Sequence, residues 1–247
     1  MTELITKNHS KSPVSEAYRT IRTNVQFSAV NKDLKTIVIT SATANEGKST
    51  TISNLGVVMA QAGQKVVIMD CDFRNPTQHK IFELPNKGLS NCIAMHKSVM
   101  EIIQHTDVEG LDILTSGPVA PNPSEILSSK RMDEVLEVLG REYDYVLIDT
   151  PPILPVTDAA VMAAKVDGVI MLTAWGSINP EIAKDAKNRL VQAGANIIGV
   201  ILNRVEVTAP GNAYGYGYGY YYYYGSGEGE KGKKHKHSDS DSEEKEQ

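Results

Sequence analysis

Residues 36–50 read TIVITSATANEGKST, and the rest of the chain is read outward from them. TIVIT is apolar without alternation, the pattern of a strand covered on both faces of a parallel sheet. It runs into a loop of small residues ending in Gly47-Lys48-Ser49, and 47–62 has the length and composition of a helix. Strand, glycine-bearing loop and helix in that order build an anion site. The glycine lets backbone N–H groups approach phosphate, the lysine is a point charge on β and γ oxygens, and the serine hydroxyl can ligate Mg²⁺. The start of the helix adds its positive dipole end. The strict G-x-x-x-x-G-K-S spacing is not met, because Ala42 stands where the first glycine belongs.

Five further apolar runs follow: KVVIM (65–69), LDILT (111–115), DYVLI (144–148), GVIML (168–172) and NIIGVIL (196–202). Segments 128–141, 157–165 and 179–193 are compatible with helices between them. Alternating strands and helices predict an α/β fold with a doubly wound, mostly parallel sheet, and the loop ending in Gly47-Lys48-Ser49 makes it a P-loop NTPase of a deviant Walker type. Such sheets place ligands beyond the carboxyl ends of their strands. Two strands end there in acid. VVIMDCDFR puts Asp70 and Asp72 two residues apart and on one face, and VLIDTPP ends in Asp149, as a Walker B strand does. If these strands flank the first, the three carboxylates converge on Lys48 and Ser49. Together they would repel unless a divalent cation joined them.

Outside this frame the chain changes character. Residues 1–12 are polar and expected to fray. From Pro13 to about residue 30, Val14, Ala17, Ile21, Val25 and Phe27 fall near a helical period. Past residue 210 the sequence is GNAYGYGYGYYYYYGSGEGEKGKKHKHSDSDSEEKEQ, too poor in aliphatic residues to bury a core. Domain 1–210 and a disordered tail 211–247 are the expected division. Of eleven tyrosines in 247 residues, eight lie in the tail: Tyr214, Tyr216, Tyr218, Tyr220, Tyr221, Tyr222, Tyr223 and Tyr224. No cation interrupts them, and a net charge of -5 argues against nucleic acid as a partner. Two cysteines make no disulfide framework and suit a reducing cytosol. MTELITKNHSKSP lacks the apolar core of a signal peptide, and no run is long enough to span a bilayer. A cytoplasmic protein is expected, with any membrane association made through a partner.

EAYRTIRTN (16–24), TSATANEGKSTT (40–51), VVIMDCDFRNP (66–76), SGPVAPNPSEIL (116–127), YVLIDTPP (145–152), TDAAV (157–161), GVILNRV (199–205) and the tyrosine tail together resemble the bacterial tyrosine kinases, in particular the separate Gram-positive kinases that regulate capsule and exopolysaccharide synthesis. The resemblance implies a protein-tyrosine kinase using ATP and Mg²⁺. It places Glu46, Gly47, Lys48, Ser49, Thr50 and Asn203 at ATP, and Ser49, Asp72 and Asp149 at the metal, directly or through water. Lys48, Asp70, Asp72 and Asp149 become the catalytic set, with Asp70 receiving the attacking tyrosine hydroxyl. The tail tyrosines become autophosphorylation sites, used in trans between subunits. Glu16, Arg19 and Arg22, three apart on the first helix, are by spacing alone a solvated face with ion pairs of a few tenths of a kcal/mol. The resemblance makes them the contacts of a ring-like homo-oligomer. It further implies a membrane activator of the polysaccharide co-polymerase type and a cognate tyrosine phosphatase.

Two other functions fit parts of the sequence: a partitioning or positioning ATPase without kinase activity, and a nucleotide-switched scaffold. Thr43 stands where partitioning ATPases carry a signature lysine. That favours the kinase and leaves the site short of a positive charge, which an activator would supply. Asn203, just past the last strand, also fits a plain strand-end cap.

Overall fold

The computed structural model describes residues 4–29, 33–95, 97–118 and 121–205, so the eight tail tyrosines lie outside the described residues. In chain order the elements are α1 (Ile5–Asn8), α2 (Pro13–Ser28), β1 (Thr36–Ser41), α3 (Lys48–Ala60), β2 (Val66–Asp70), α4 (Gln78–Ile81) and α5 (Leu89–Met95). A 3-10 turn at Val99–Glu101 leads to β3 (Gln104–His105) and β4 (Leu111–Leu114). Then come α6 (Pro123–Ser128), α7 (Lys130–Glu142), β5 (Tyr145–Asp149), α8 (Asp158–Ala163), β6 (Gly168–Ala174), α9 (Pro180–Gln192) and β7 (Ile197–Asn203). All six apolar runs are strands.

The strands form one sheet in the order β3-β4-β2-β5-β1-β6-β7, parallel except for β3. β3 was not foreseen, because two polar residues carry no strand pattern. Alternate residues of the central strands enter separate cores, which is why the runs do not alternate in polarity. Ile37, Ile39, Ile68, Leu147 and Leu172 join Val25 of α2 and Ile52, Leu55 and Val58 of α3. Val38, Met69, Val146, Ile148 and Met171 join Leu127 of α6, Leu139 of α7, Met162 of α8 and Leu190 of α9. α3 lies close against β2: a Cβ on Gly56 would stand 2.8 Å from Ile68 Cδ1.

The N-terminal segment corrects an expectation. Residues 4–12 are not frayed: Leu4 and Thr6 are buried, and α1 lies on α3. Thr6 donates its backbone N–H (3.0 Å) and its hydroxyl (2.8 Å) to Asn54 Oδ1 inside α3. A polar composition concealed this docking because its anchors are hydrogen bonds rather than an apolar stripe. α2 begins as expected, with Ser12 accepting from Ser15 N and Pro13 in the first turn. Its inner face carries Tyr18, Ile21 and Val25, whereas Val14 and Phe27 are exposed.

Candidate active site

The strand order puts β5 between β1 and β2, so Asp149 pairs in register with Asp70 on one side and Ile39 on the other. Each strand therefore delivers its C-terminal residue to the same edge, beside the loop that follows β1. Residues 42–47 of that loop are held from several directions. Glu46 is buried and turned inward; Oε1 accepts from Thr43 N (2.6 Å) and Thr43 Oγ1 (3.0 Å), and Oε2 accepts from Ala174 N at the end of β6 (3.1 Å). Asn203 Nδ2 donates to the Glu46 carbonyl at 2.9 Å, and Arg204 Nη2 donates to the Asn45 carbonyl at 2.7 Å. Gly47 has φ 101°, a left-handed value that suits glycine. Ala42 is buried and is not among the residues of positive φ, so the missing first glycine costs this loop no conformational freedom.

Lys48 and Ser49 open the thirteen-residue α3, directly after this loop, and Thr50 follows in its first turn. The Lys48 charge acts on both Asp72 and Asp149, pulling their carboxyls down against a larger upward push from burial. Asp149 is fully buried and raised to about 6; besides Lys48, the nearby Ser49 hydroxyl and the Gln78 amide moderate the shift. Asp70 is fully buried and raised to about 8, first by desolvation and then by the charge of Asp149.

The carboxylates converge, but with different surroundings. Asp70 Oδ2 accepts from Thr77 N and Gln78 N, each at 3.0 Å, and Oδ1 accepts from Asp72 N at 3.1 Å. It thus pins the loop from 71 to 78 and opens α4. Asp72 accepts from Asn75 N at 2.9 Å. Asp149 is half satisfied: Oδ2 accepts from Gln78 Nε2 at 2.7 Å, whereas the buried Oδ1 has no hydrogen-bond partner. Among the described residues no three His, Cys, Asp or Glu side chains form a metal-holding group by themselves. Mg²⁺ nevertheless fits this donor set. It takes one or two carboxylates and completes its shell with water and phosphate oxygens, and the orphaned Asp149 oxygen beside Ser49 is a ligand position of that kind.

Other side chains were not foreseen. Arg74, two residues past Asp72, makes a two-point pair with the fully buried Asp158, Nε to Oδ2 at 2.9 Å and Nη2 to Oδ1 at 3.2 Å. Ser124 of α6 also donates to Asp158. The signal for Asp158 lay in TDAAV, but its partner is 84 positions away in sequence. Gln78 had no signal. Trp175 is exposed, and its backbone N–H donates to the Asn203 carbonyl at 2.8 Å.

Glu16, Arg19 and Arg22 are engaged within the chain. Arg19 pairs with Glu16 and donates to the Ser10 carbonyl at 2.7 Å. Arg22 Nη1 donates to the Val58 carbonyl near the end of α3 at 3.1 Å, while its buried Nε lacks a partner. No helix among the described residues is long and apolar enough to cross a membrane.

Fold and loop define a P-loop nucleotide-binding domain, and a family model described as an AAA domain matches residues 34–176. Tyrosine-protein kinase YwqD of Bacillus subtilis is 43% identical over 201 residues, which cover 81% of this chain and 85% of that protein. Among solved structures, the chimerical protein CapA2B2 has a TM-score of 0.79 at 42% identity, covering 82% of this chain and 89% of its own. The kinase domain of Escherichia coli tyrosine kinase ETK reaches a TM-score of 0.81 at 36% identity, over 85% of this chain and 83% of that one. More distantly, the septum site-determining protein MinD of Pyrococcus horikoshii, complexed with Mg-ADP, gives 0.61 at 26% identity over 71% and 72% of the two chains. The chain belongs to the bacterial tyrosine kinases, and its activity is that of a protein-tyrosine kinase.

Proposed function

We propose that this kinase transfers the γ-phosphoryl group of ATP to the tyrosines of its own tail, Tyr214, Tyr216, Tyr218 and Tyr220 to Tyr224, with one subunit serving the tail of another. The observation that carries the reading is the in-register pair Asp70 and Asp149 beside the phosphate loop, within electrostatic reach of Lys48 and Asp72. Gly47, Lys48, Ser49 and Thr50 bind the phosphates through the loop, the lysine charge and the opening turn of α3. Glu46 braces the loop from inside, and Asn203, whose amide is tied to the loop at the Glu46 carbonyl, would read the adenine. Ser49, Asp72 and Asp149 would hold Mg²⁺, directly or through water, and the ion supplies neutralisation of the phosphate charge. The tyrosine oxygen bonds to the γ-phosphorus as the bond to the β-bridging oxygen breaks, ADP leaves, and the phenolic proton passes to a carboxylate. We assign that role to Asp70, which lies in register beside Asp149. The Asp70 oxygens are covered by backbone N–H groups of 72, 77 and 78, so the 71–78 loop must shift for the hydroxyl to reach it. Most of the catalysis is positioning and charge neutralisation.

Each transfer adds about -1.5 to -2 charges to the tail. Repulsion from Asp70, Asp72 and Asp149 then drives the modified tail out, so the ring-like oligomer built on Glu16, Arg19 and Arg22 loosens as phosphate accumulates. A membrane activator of the polysaccharide co-polymerase type supplies the missing cation and brings the kinase to the membrane. A tyrosine phosphatase resets the tail, and the cycle regulates capsule and exopolysaccharide synthesis. The test is incubation with MgATP, with and without an activator segment, followed by mapping of phosphotyrosine by mass and sizing of both states. Phosphate on the tail and a fall in assembly size are expected. ADP released without phosphotyrosine would sink the tail reading in favour of a simple ATPase.

A further inference from the structure

Gln78 is fully buried, and every polar atom it carries on the site side is used. Its backbone N–H donates to Asp70 Oδ2 at 3.0 Å. Its Nε2 donates to Asp149 Oδ2 at 2.7 Å and reaches the Ser49 carbonyl at 3.3 Å. Its Oε1 lies 2.7 Å from the donating Ser53 Oγ of α3, which is itself 2.6 Å from the Ser49 carbonyl. One residue therefore touches both strand-end carboxylates and the first turns of the phosphate-loop helix. The amide orientation is fixed by its surroundings, since the flipped side chain would set Oε1 against a carboxylate oxygen at 2.7 Å.

The consequence concerns Asp149. A carboxylate with two equivalent oxygens has no preferred face, but here Gln78 occupies Oδ2 and leaves Oδ1 buried without a partner. We propose that Gln78 is the positioning residue for the metal side of the site: its carboxamide holds Asp149 by one oxygen so that the other is presented toward Ser49 and a Mg²⁺ shell. This rests on the nucleotide-site reading above but not on which tyrosines are phosphorylated. Gln is suited to the task because a single planar group donates to Asp149 and accepts from Ser53. A Glu of the same length would set a carboxylate against a carboxylate, and a Met would offer no donor. Residues that orient a metal ligand from behind typically change metal affinity or activity by about 10–100-fold when replaced.

The test is equilibrium binding of a fluorescent ATP analogue to the full chain, titrated with Mg²⁺ from an EDTA baseline, for wild type, Gln78→Met and Gln78→Glu. Both variants are expected to move the Mg²⁺ midpoint upward by about 10-fold or more, with affinity in EDTA unchanged within about twofold. A general loss of packing would instead weaken binding in EDTA as well. Ser53→Ala, which releases Oε1 from outside the site, is expected to move the midpoint the same way by a smaller factor, and it decides the matter if the Gln78 variants do not fold. A midpoint within about twofold of wild type in the variants that fold overturns the assignment. The assay involves no tyrosine, so a failure of tail phosphorylation leaves this result standing.

Discussion

Asn203 Nδ2 occupies the space that a side chain at position 47 would need: a Cβ on Gly47 would lie 2.3 Å from it. The amide that reads as a strand-end cap thus also closes the phosphate loop over its glycine. Gly47→Ala meets two obstacles, the left-handed φ and this contact. It is expected to lower nucleotide affinity by about 10-fold or more, the equivalent of at least ~1.4 kcal/mol of loop strain. Isothermal titration of ATP measures it; wild-type affinity would show that the loop tolerates the strain.

Lys48→Met removes the cation that opens α3 while keeping an unbranched side chain. Loss of a single charge stabiliser of this sort costs about 10²–10³ in turnover. The expected outcome is a folded protein whose phosphotransfer falls to that extent in a radiolabel assay.

Asp158 is fully buried and is held by Arg74 and Ser124. Breaking a fully buried pair costs about 3–5 kcal/mol. Arg74 is half exposed, so Arg74→Ala should cost less, about 1–3 kcal/mol, as the vacated side admits water. Urea denaturation reads this directly. The charge-neutral Asp158→Asn should cost less than Arg74→Ala if the uncompensated carboxylate is the cause.

Thr6→Val keeps the shape of the side chain and removes its hydroxyl donor to Asn54. The expected loss is about 1–2 kcal/mol, because a buried acceptor inside α3 loses one of its donors. A proteolysis time course should show the first twelve residues released earlier. Equal protection in both proteins would mean that Thr6 N–H alone holds the segment.

The nucleotide-free protein should become less stable as pH rises. Asp70 and Asp149 are raised from 3.8 to about 8 and about 6 in the folded state. Between the unfolded and folded values the native protein binds more protons than the unfolded chain, so stability falls through that window. His79, lowered by burial, acts in the opposite sense near its ordinary range. Above about pH 7 it is largely neutral in both states, whereas Asp70 still titrates there and the raised thiols of the buried Cys71 and Cys92 act in the same sense. The urea midpoint should therefore drop between about pH 7 and pH 8.5; a rise over that interval contradicts the assigned directions.

The strands were legible because burial on two faces leaves an uninterrupted apolar run, and the phosphate loop because its parts are consecutive. Asp70 and Asp149 were legible as strand ends, and their pairing followed once β5 entered between β1 and β2. What stayed hidden depended on that adjacency. Gln78 sits on a short polar turn with no apolar period, and its role comes from partners at 49, 53, 70 and 149. Arg74 and Asp158 meet only because the loop after β2 crosses toward the start of α8. α1 was misread for a related reason: Thr6 docks through Asn54, a polar residue in the middle of a buried helix, which periodicity does not reveal.

Arg22 gives the contact at Val58 a wider meaning. α3 is thirteen residues long, about 20 Å from end to end, with the phosphate site at its head and a guanidinium on a carbonyl at its foot. If a neighbouring subunit engages Arg22 as proposed, it draws on a side chain whose Nη1 is tied to the foot of the helix that the phosphate loop opens. On that proposal assembly and the phosphate loop share one helix, and any effect of nucleotide on assembly must be matched by an equal effect of assembly on nucleotide affinity.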